Sequence, residues 1–210
     1  MPDQELNVDE LRSELDQIKD AMGLQERYES TGQQWLLFAV LVAVAAGISQ
    51  YVMLARLSGW WYSVVWAVVV GGGWYVGNRL IDTRVRGSTA GKPSVVFLYA
   101  AVFLATIPTQ LVFAPFLRDL GYVPRSAMIL GSISVFLGLA YLLIGNLLRA
   151  YYIRRRDRVV LYVGGLWLIV LGVAVADLPP VREWGYAAFG AGYVVYALAA
   201  YAVLRGESGE

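Results

Sequence analysis

Apolar residues along this chain come in long unbroken runs, not in the one-face pattern of a helix in water. Residues 36–47 read LLFAVLVAVAAG, with no polar position over three turns, whereas a water-soluble helix shows a polar face every turn. A membrane-spanning helix needs about 20 mostly apolar residues. Six runs meet that length: 35–54, 60–76, 94–116, 123–148, 159–176 and 184–204. Arg125, near the start of the fourth, is the one charge well inside any of them, in keeping with the several kcal/mol that a central charge costs. The pattern predicts an all-α, polytopic membrane bundle of six transmembrane helices.

The charges then orient the bundle. With six crossings, the N-terminal arm, the second and fourth loops and the C-terminal tail 206–210 share one side. That side carries thirteen Lys and Arg: 12, 19, 27, 79, 84, 86, 92, 149, 154, 155, 156, 158 and 205. The other carries four: Arg56, Arg118, Arg125 and Arg182. Basic loops stay in the cytoplasm, so both termini are expected there, in a multi-pass protein of the cell membrane. An odd number of spans would put the two basic loops on opposite faces or strand one terminus.

The outer loops share a Gly–aromatic step at Gly59–Trp60, Gly121–Tyr122 and Gly185–Tyr186, each followed by an apolar helix ending in Arg. This suggests three sequential antiparallel hairpins. The aromatics Trp60, Trp61, Tyr62, Phe116, Tyr122, Trp184 and Tyr186 are expected as an outer interfacial belt, with Trp35, Tyr75, Tyr151, Tyr152 and Tyr162 as the inner one. Small-residue ladders at Ala39/Ala43/Gly47, Gly73/Gly77 and Ala188/Gly192 offer surfaces for close helix approach.

Residues 1–33 form an acidic cytoplasmic arm, with nine acids against three bases. Val8, Leu11, Leu15, Ile18 and Met22 recur at 3–4 spacing, the stripe of a short amphipathic helix over about 8–22. Asn7 can cap it, Glu10 can complete a capping-box-like arrangement, and Gly23 can stop it. So short a helix is marginal alone in water and needs a surface for its stripe. Two partners suit it: another protein, or this chain's own basic loops through Arg84, Arg86, Arg154, Arg155 and Arg156. The arm's negative charge opposes direct binding to anionic headgroups. The acidic start, with no apolar run directly after it, reads against a cleavable signal peptide.

Composition narrows the chemistry. Apolar residues make up 58% and charged residues 16%, which fits a membrane chain and not a disordered one or a nucleic-acid binder. Arg far outnumbers Lys, which suggests a prokaryotic, GC-rich source. There is no Cys and no His, hence no disulfide, thiolate nucleophile, His base or His metal ligand. Phosphate-binding glycine motifs are absent. No cofactor and no metal are expected, and a non-enzymatic role is.

Polar residues inside the membrane are the default functional candidates. Gln50 and Gln110 fall at matched depth, about 22–24 Å from the inner surface at 1.5 Å per residue. Thr106, Pro108 and Thr109 stand beside Gln110, and Pro108 frees a backbone carbonyl. Together these five make a candidate polar site between the first and third spans. Two functions follow. The leading one is a scaffold or accessory subunit acting through its arm; the alternative is a small-solute transporter or channel using the polar site.

Overall fold

The computed structural model describes residues 29–80, 95–151 and 155–205, and Glu14. The arm helix expected over 8–22 lies, apart from Glu14, outside the described residues, as do Arg84, Arg86, Arg154 and the tail.

Among the described residues every regular element is helical and no strand occurs. The order is α1 (Glu29–Leu54), α2 (Trp60–Val65), a π-helical segment (Trp66–Gly72), α3 (Gly73–Leu80), α4 (Val95–Arg118), α5 (Tyr122–Leu147), a 3₁₀ turn (Leu148–Tyr151), α6 (Arg155–Asp177), α7 (Pro179–Glu183) and α8 (Gly185–Arg205). Five helices, α1, α4, α5, α6 and α8, are long and apolar enough to cross a membrane. Residues 60–80 are helical throughout but divided by the π segment.

The helix ends follow local chemistry. Gly59 and Gly121 precede α2 and α5. Leu178 is extended ahead of Pro179 and Pro180, as a residue before proline prefers, and the prolines occupy the first turn of α7, where no N–H is missed. The C-terminus of α1 closes through Leu57 N donating to Val52 O at 3.0 Å and Arg56 N to Met53 O at 3.1 Å. This is the Schellman pattern, with Arg56 at φ 51° in the left-handed position that usually takes glycine.

Packing repeats every seven residues. The buried positions include Ala39, Val42, Ala46, Ser49 and Met53 on α1, and Tyr186, Gly190, Tyr193, Ala197 and Ala200 on α8. On α5 they include Ala127, Gly131, Ser134, Gly138, Tyr141 and Gly145, and on α6 Leu161, Gly165, Leu168, Gly172 and Val175. Alternating steps of three and four are the seam of shallow-angle helix packing. The most extensive interfaces join α5 to α6 and α1 to α8.

The α5–α6 seam is built on glycine. A Cβ placed on Gly131 would lie 2.6 Å from the Gly172 carbonyl oxygen, and one on Gly138 would lie 2.5 Å from that of Gly165. The reverse additions meet the opposite carbonyls at 2.6 and 2.7 Å. Backbone touches backbone at two levels seven residues apart, which only glycine permits. By contrast Gly47 faces open space, while Gly73 and Gly77 receive the side chains of Leu41 and Leu37.

α4 joins the bundle chiefly through α5. Its opposite face is bare: Phe97 and Phe116 are each 74% exposed and Leu111 is 69% exposed. A face that apolar is suited to hydrocarbon, since water would make it an aggregation surface.

Candidate functional site

Gln50 does not face open space. Its Nε2 donates to Glu183 O at 2.8 Å, and its Oε1 accepts from Ala187 N at 3.1 Å. Those backbone groups flank the break between α7 and α8, where one helix leaves carbonyls unpaired and the next leaves N–H groups unpaired. One buried amide closes both ends. Gln110 bonds elsewhere. Its Nε2 donates to Ser132 Oγ on α5, and that hydroxyl donates to Ile129 O at 2.9 Å. Thr109 Oγ1 donates to Ala105 O at 2.8 Å, one turn back on its own helix. Pro108 is exposed within a helix that continues past it.

Of the five candidate residues, four stand on α4, namely Thr106, Pro108, Thr109 and Gln110. Gln50 is bound to the α7–α8 break. The space beside Thr106 is an apolar crevice between α4 and α5, lined also by Val102, Ile133, Phe136 and Leu137, of about 10 Å³. That is the volume of roughly one water.

Two further polar groups occur: one is built from tyrosines expected as interfacial anchors, and the other from Tyr141, Tyr193 and Tyr196, which the sequence pattern did not single out. At the end of the bundle that carries Gly59 and Gly121, the ring of Tyr62 stacks on that of Tyr186, with centroids 5.1 Å apart. Tyr62 Oη lies 3.4 Å from both Tyr122 Oη and Ser126 Oγ, and Tyr122 Oη donates to Leu57 O at 2.6 Å. Tyr186 is buried; it pins helices together instead of anchoring them in headgroups. Trp60, Trp61 and Trp184 are exposed, as an interfacial belt requires.

Deeper in, the hydroxyls of Tyr141 on α5 and Tyr193 on α8 are hydrogen-bonded to each other with both residues buried. Tyr196 Oη donates to Val160 O at 3.0 Å. Trp35 meets Tyr141 and Tyr196 edge-on. Trp66 Nε1 donates to Ser49 Oγ at 3.2 Å, which ties the π segment to α1. Tyrosine at a heptad position beside glycine was the available signal: Tyr141 lies three residues past Gly138, and Tyr193 three past Gly190.

Arg125 and Arg182 repeat one device. Arg125, near the start of α5, reaches back to Leu117 O, Arg118 O and Leu120 O at 2.9, 2.8 and 3.1 Å. Arg182 in α7 donates to Ala176 O at 2.8 Å. Each guanidinium caps the carbonyl end of the preceding helix, where cations are favoured.

Of the residues expected to dock the arm, Arg155 and Arg156 stand at the start of α6, and both Arg156 and Asp157 are engaged with other groups. The stripe Val8, Leu11, Leu15, Ile18 and Met22 lies outside the described residues. No group of three or more acidic residues placed to hold a metal occurs among the described residues. Compared with protein-family models, curated proteins and solved structures, the chain matches none.

Proposed function

We propose that this chain is a cell-membrane protein that crosses the bilayer six times, with both termini in the cytoplasm. It acts as a non-enzymatic scaffold or accessory subunit, and its acidic arm engages a partner protein or the chain's own basic loops. The sixth crossing is the divided run 60–80, whose length approaches the hydrocarbon thickness of about 30 Å. In this reading the six crossings are three outward–inward pairs, packed most tightly between pairs where α5 meets α6.

One observation carries the functional part. The two span glutamines are committed to holding helices: Gln50 closes the α7–α8 break, and Gln110 is bound to Ser132. The charged cytoplasmic edge is then the surface best suited to recognition. A solute pathway would instead need polar groups turned toward a wet cavity.

Topology is testable directly because the chain has no Cys. Single cysteines at Ser58 and Asp119 should react with an impermeant maleimide from outside the cell, and one at Arg155 only after permeabilisation. For function, the full chain and a version lacking residues 1–28 should be purified from native membranes. The accessory reading requires a stoichiometric partner, or protection of the arm by its own loops, that depends on those residues. Solute flux in proteoliposomes that Gln110→Leu abolishes without loss of fold would favour the transporter instead.

A further inference from the structure

The inner end of the α5–α6 seam is rich in positive charge. Within residues 149–158 the sequence places five arginines and one acid, Asp157. Arg158 lies three residues before Leu161 and seven before Gly165, so it continues the buried stripe of α6. Gly145, the last glycine of the α5 stripe, sits against the Tyr162 ring and Leu161 Cβ. Arg149 follows Gly145 by one turn and Arg158 precedes Tyr162 by one turn, so the two arginines flank the seam at the same level. Arg149 is exposed, but Arg158 is partly buried, and its Nε is enclosed without a hydrogen-bond partner among the described residues.

A guanidinium Nε enclosed without a partner is costly, and a planar fork of donors matches phosphate oxygens. We propose that Arg149 and Arg158 hold the phosphodiester of an anionic phospholipid at the inner end of the α5–α6 seam. The inference rests on the proposed topology, which puts this turn at the cytoplasmic leaflet, where anionic lipids attract basic residues. The headgroup would neutralise Arg158 at the point where seam packing gives way to water.

The test uses the full chain, purified in detergent and probed by native mass spectrometry with phosphatidylglycerol or phosphatidylcholine. The wild type should retain phosphatidylglycerol in preference to phosphatidylcholine. Arg158→Gln should weaken that retention about fivefold, as expected for one interfacial charge, and Arg149→Gln/Arg158→Gln should abolish the preference. Arg158→Lys, which keeps charge but loses the fork, should fall between. Arg79→Gln removes an equally cationic inner residue and should change nothing. Melting temperatures of the variants establish that each is folded.

Equal retention of the two lipids by the wild type overturns the proposal, and so does a double variant that behaves as wild type. Displacement of the signal by millimolar inorganic phosphate, without lipid preference, would make free phosphate the ligand and overturn the lipid assignment. If Arg158→Gln leaves lipid binding unchanged but exposes residues 8–30 to protease, the arm occupies the seam end and the proposal falls. Failure of the topology itself would show separately, as maleimide labelling at Arg155 in intact cells.

Discussion

Gly138→Ala is the smallest change that tests the glycine seam. The added Cβ would lie 2.5 Å from Gly165 O, 2.7 Å from Ile169 Cγ1 and 3.1 Å from Ile169 N. Two of these three are backbone atoms, which cannot step aside alone. Comfortable carbon contacts begin at about 3.5 Å, so α5 and α6 must separate by roughly 1 Å at this level. A radial gap of about 0.5–1 Å forfeits a quarter to a half of each dispersion contact, and the seam around it includes Ser134, Tyr141, Leu161 and Leu168. The expected cost is about 1–3 kcal/mol, or about 2–4 °C of melting temperature per kcal/mol in a chain of this size.

Gly47→Ala is the matched control. Its Cβ meets nothing within 4 Å, so only helix propensity acts, and stability should hold or rise by up to about 1 kcal/mol. Because Gly138 and Gly165 each block the other's Cβ, the second alanine enters a gap that the first has opened. Gly138→Ala/Gly165→Ala should therefore cost less than the sum of the singles. The assay is thermal unfolding of the purified protein in detergent. If Gly138→Ala melts with Gly47→Ala, or the two seam substitutions add in full, the close backbone approach is not what holds α5 to α6.

Other expectations follow from the polar bonds. Gln50→Leu leaves Glu183 O and Ala187 N unpaired and should destabilise by about 1–3 kcal/mol; Gln110→Leu should cost less, since Ser132 keeps its bond to Ile129 O. A thermal melt that ranks these two in reverse order would contradict the assigned partners. Tyr141→Phe strands the Tyr193 hydroxyl, so Tyr141→Phe/Tyr193→Phe should be more stable than the single variant in the same melt. Arg56→Gly should stabilise by about 1 kcal/mol by relieving the left-handed conformation, checked by chemical denaturation in mixed micelles. If the arm docks on basic loops, Arg154, Arg155 and Arg156 changed to Glu should speed proteolysis within residues 8–30; an unaltered digestion pattern would count against docking by charge.

The long helices were open to sequence reading because a run of twenty apolar residues has few alternatives to a helix. The expected 123–148 is Tyr122–Leu147 in the structure, and 94–116 is Val95–Arg118. The expected 60–76 begins correctly at Trp60 but is broken by the π segment and continues to Leu80. The harder question was which side of each helix faces protein. In water a polar face answers it; in hydrocarbon, Val40 toward lipid and Val42 toward α8 look alike. Glycine carried the missing signal at heptad spacing, in Gly131, Gly138 and Gly145 and again in Gly165 and Gly172. Attention to four-residue ladders found Gly73 and Gly77, which receive leucine side chains, and missed the positions where backbones meet.

Matched depth also proved insufficient to join Gln50 and Gln110, because depth along an axis does not fix rotation about it. Their partners suggest a common logic for polar groups in this chain. Gln50, Arg125, Arg182, Tyr122 and Tyr196 all bond to backbone atoms, and the first four do so at helix ends. Away from water, an unpaired carbonyl or N–H costs several kcal/mol, and every interrupted or ended helix produces some. A bundle with short turns, a proline-started α7 and a glycine-started α8 generates many such groups at its helix ends, and polar side chains go to meet them. A side chain already bonded to the backbone is poorly placed to bind a solute, because each exchange would reopen a helix end. Under the proposed topology, recognition is then best sought at the arginine-rich inner edge and the acidic arm that precedes α1.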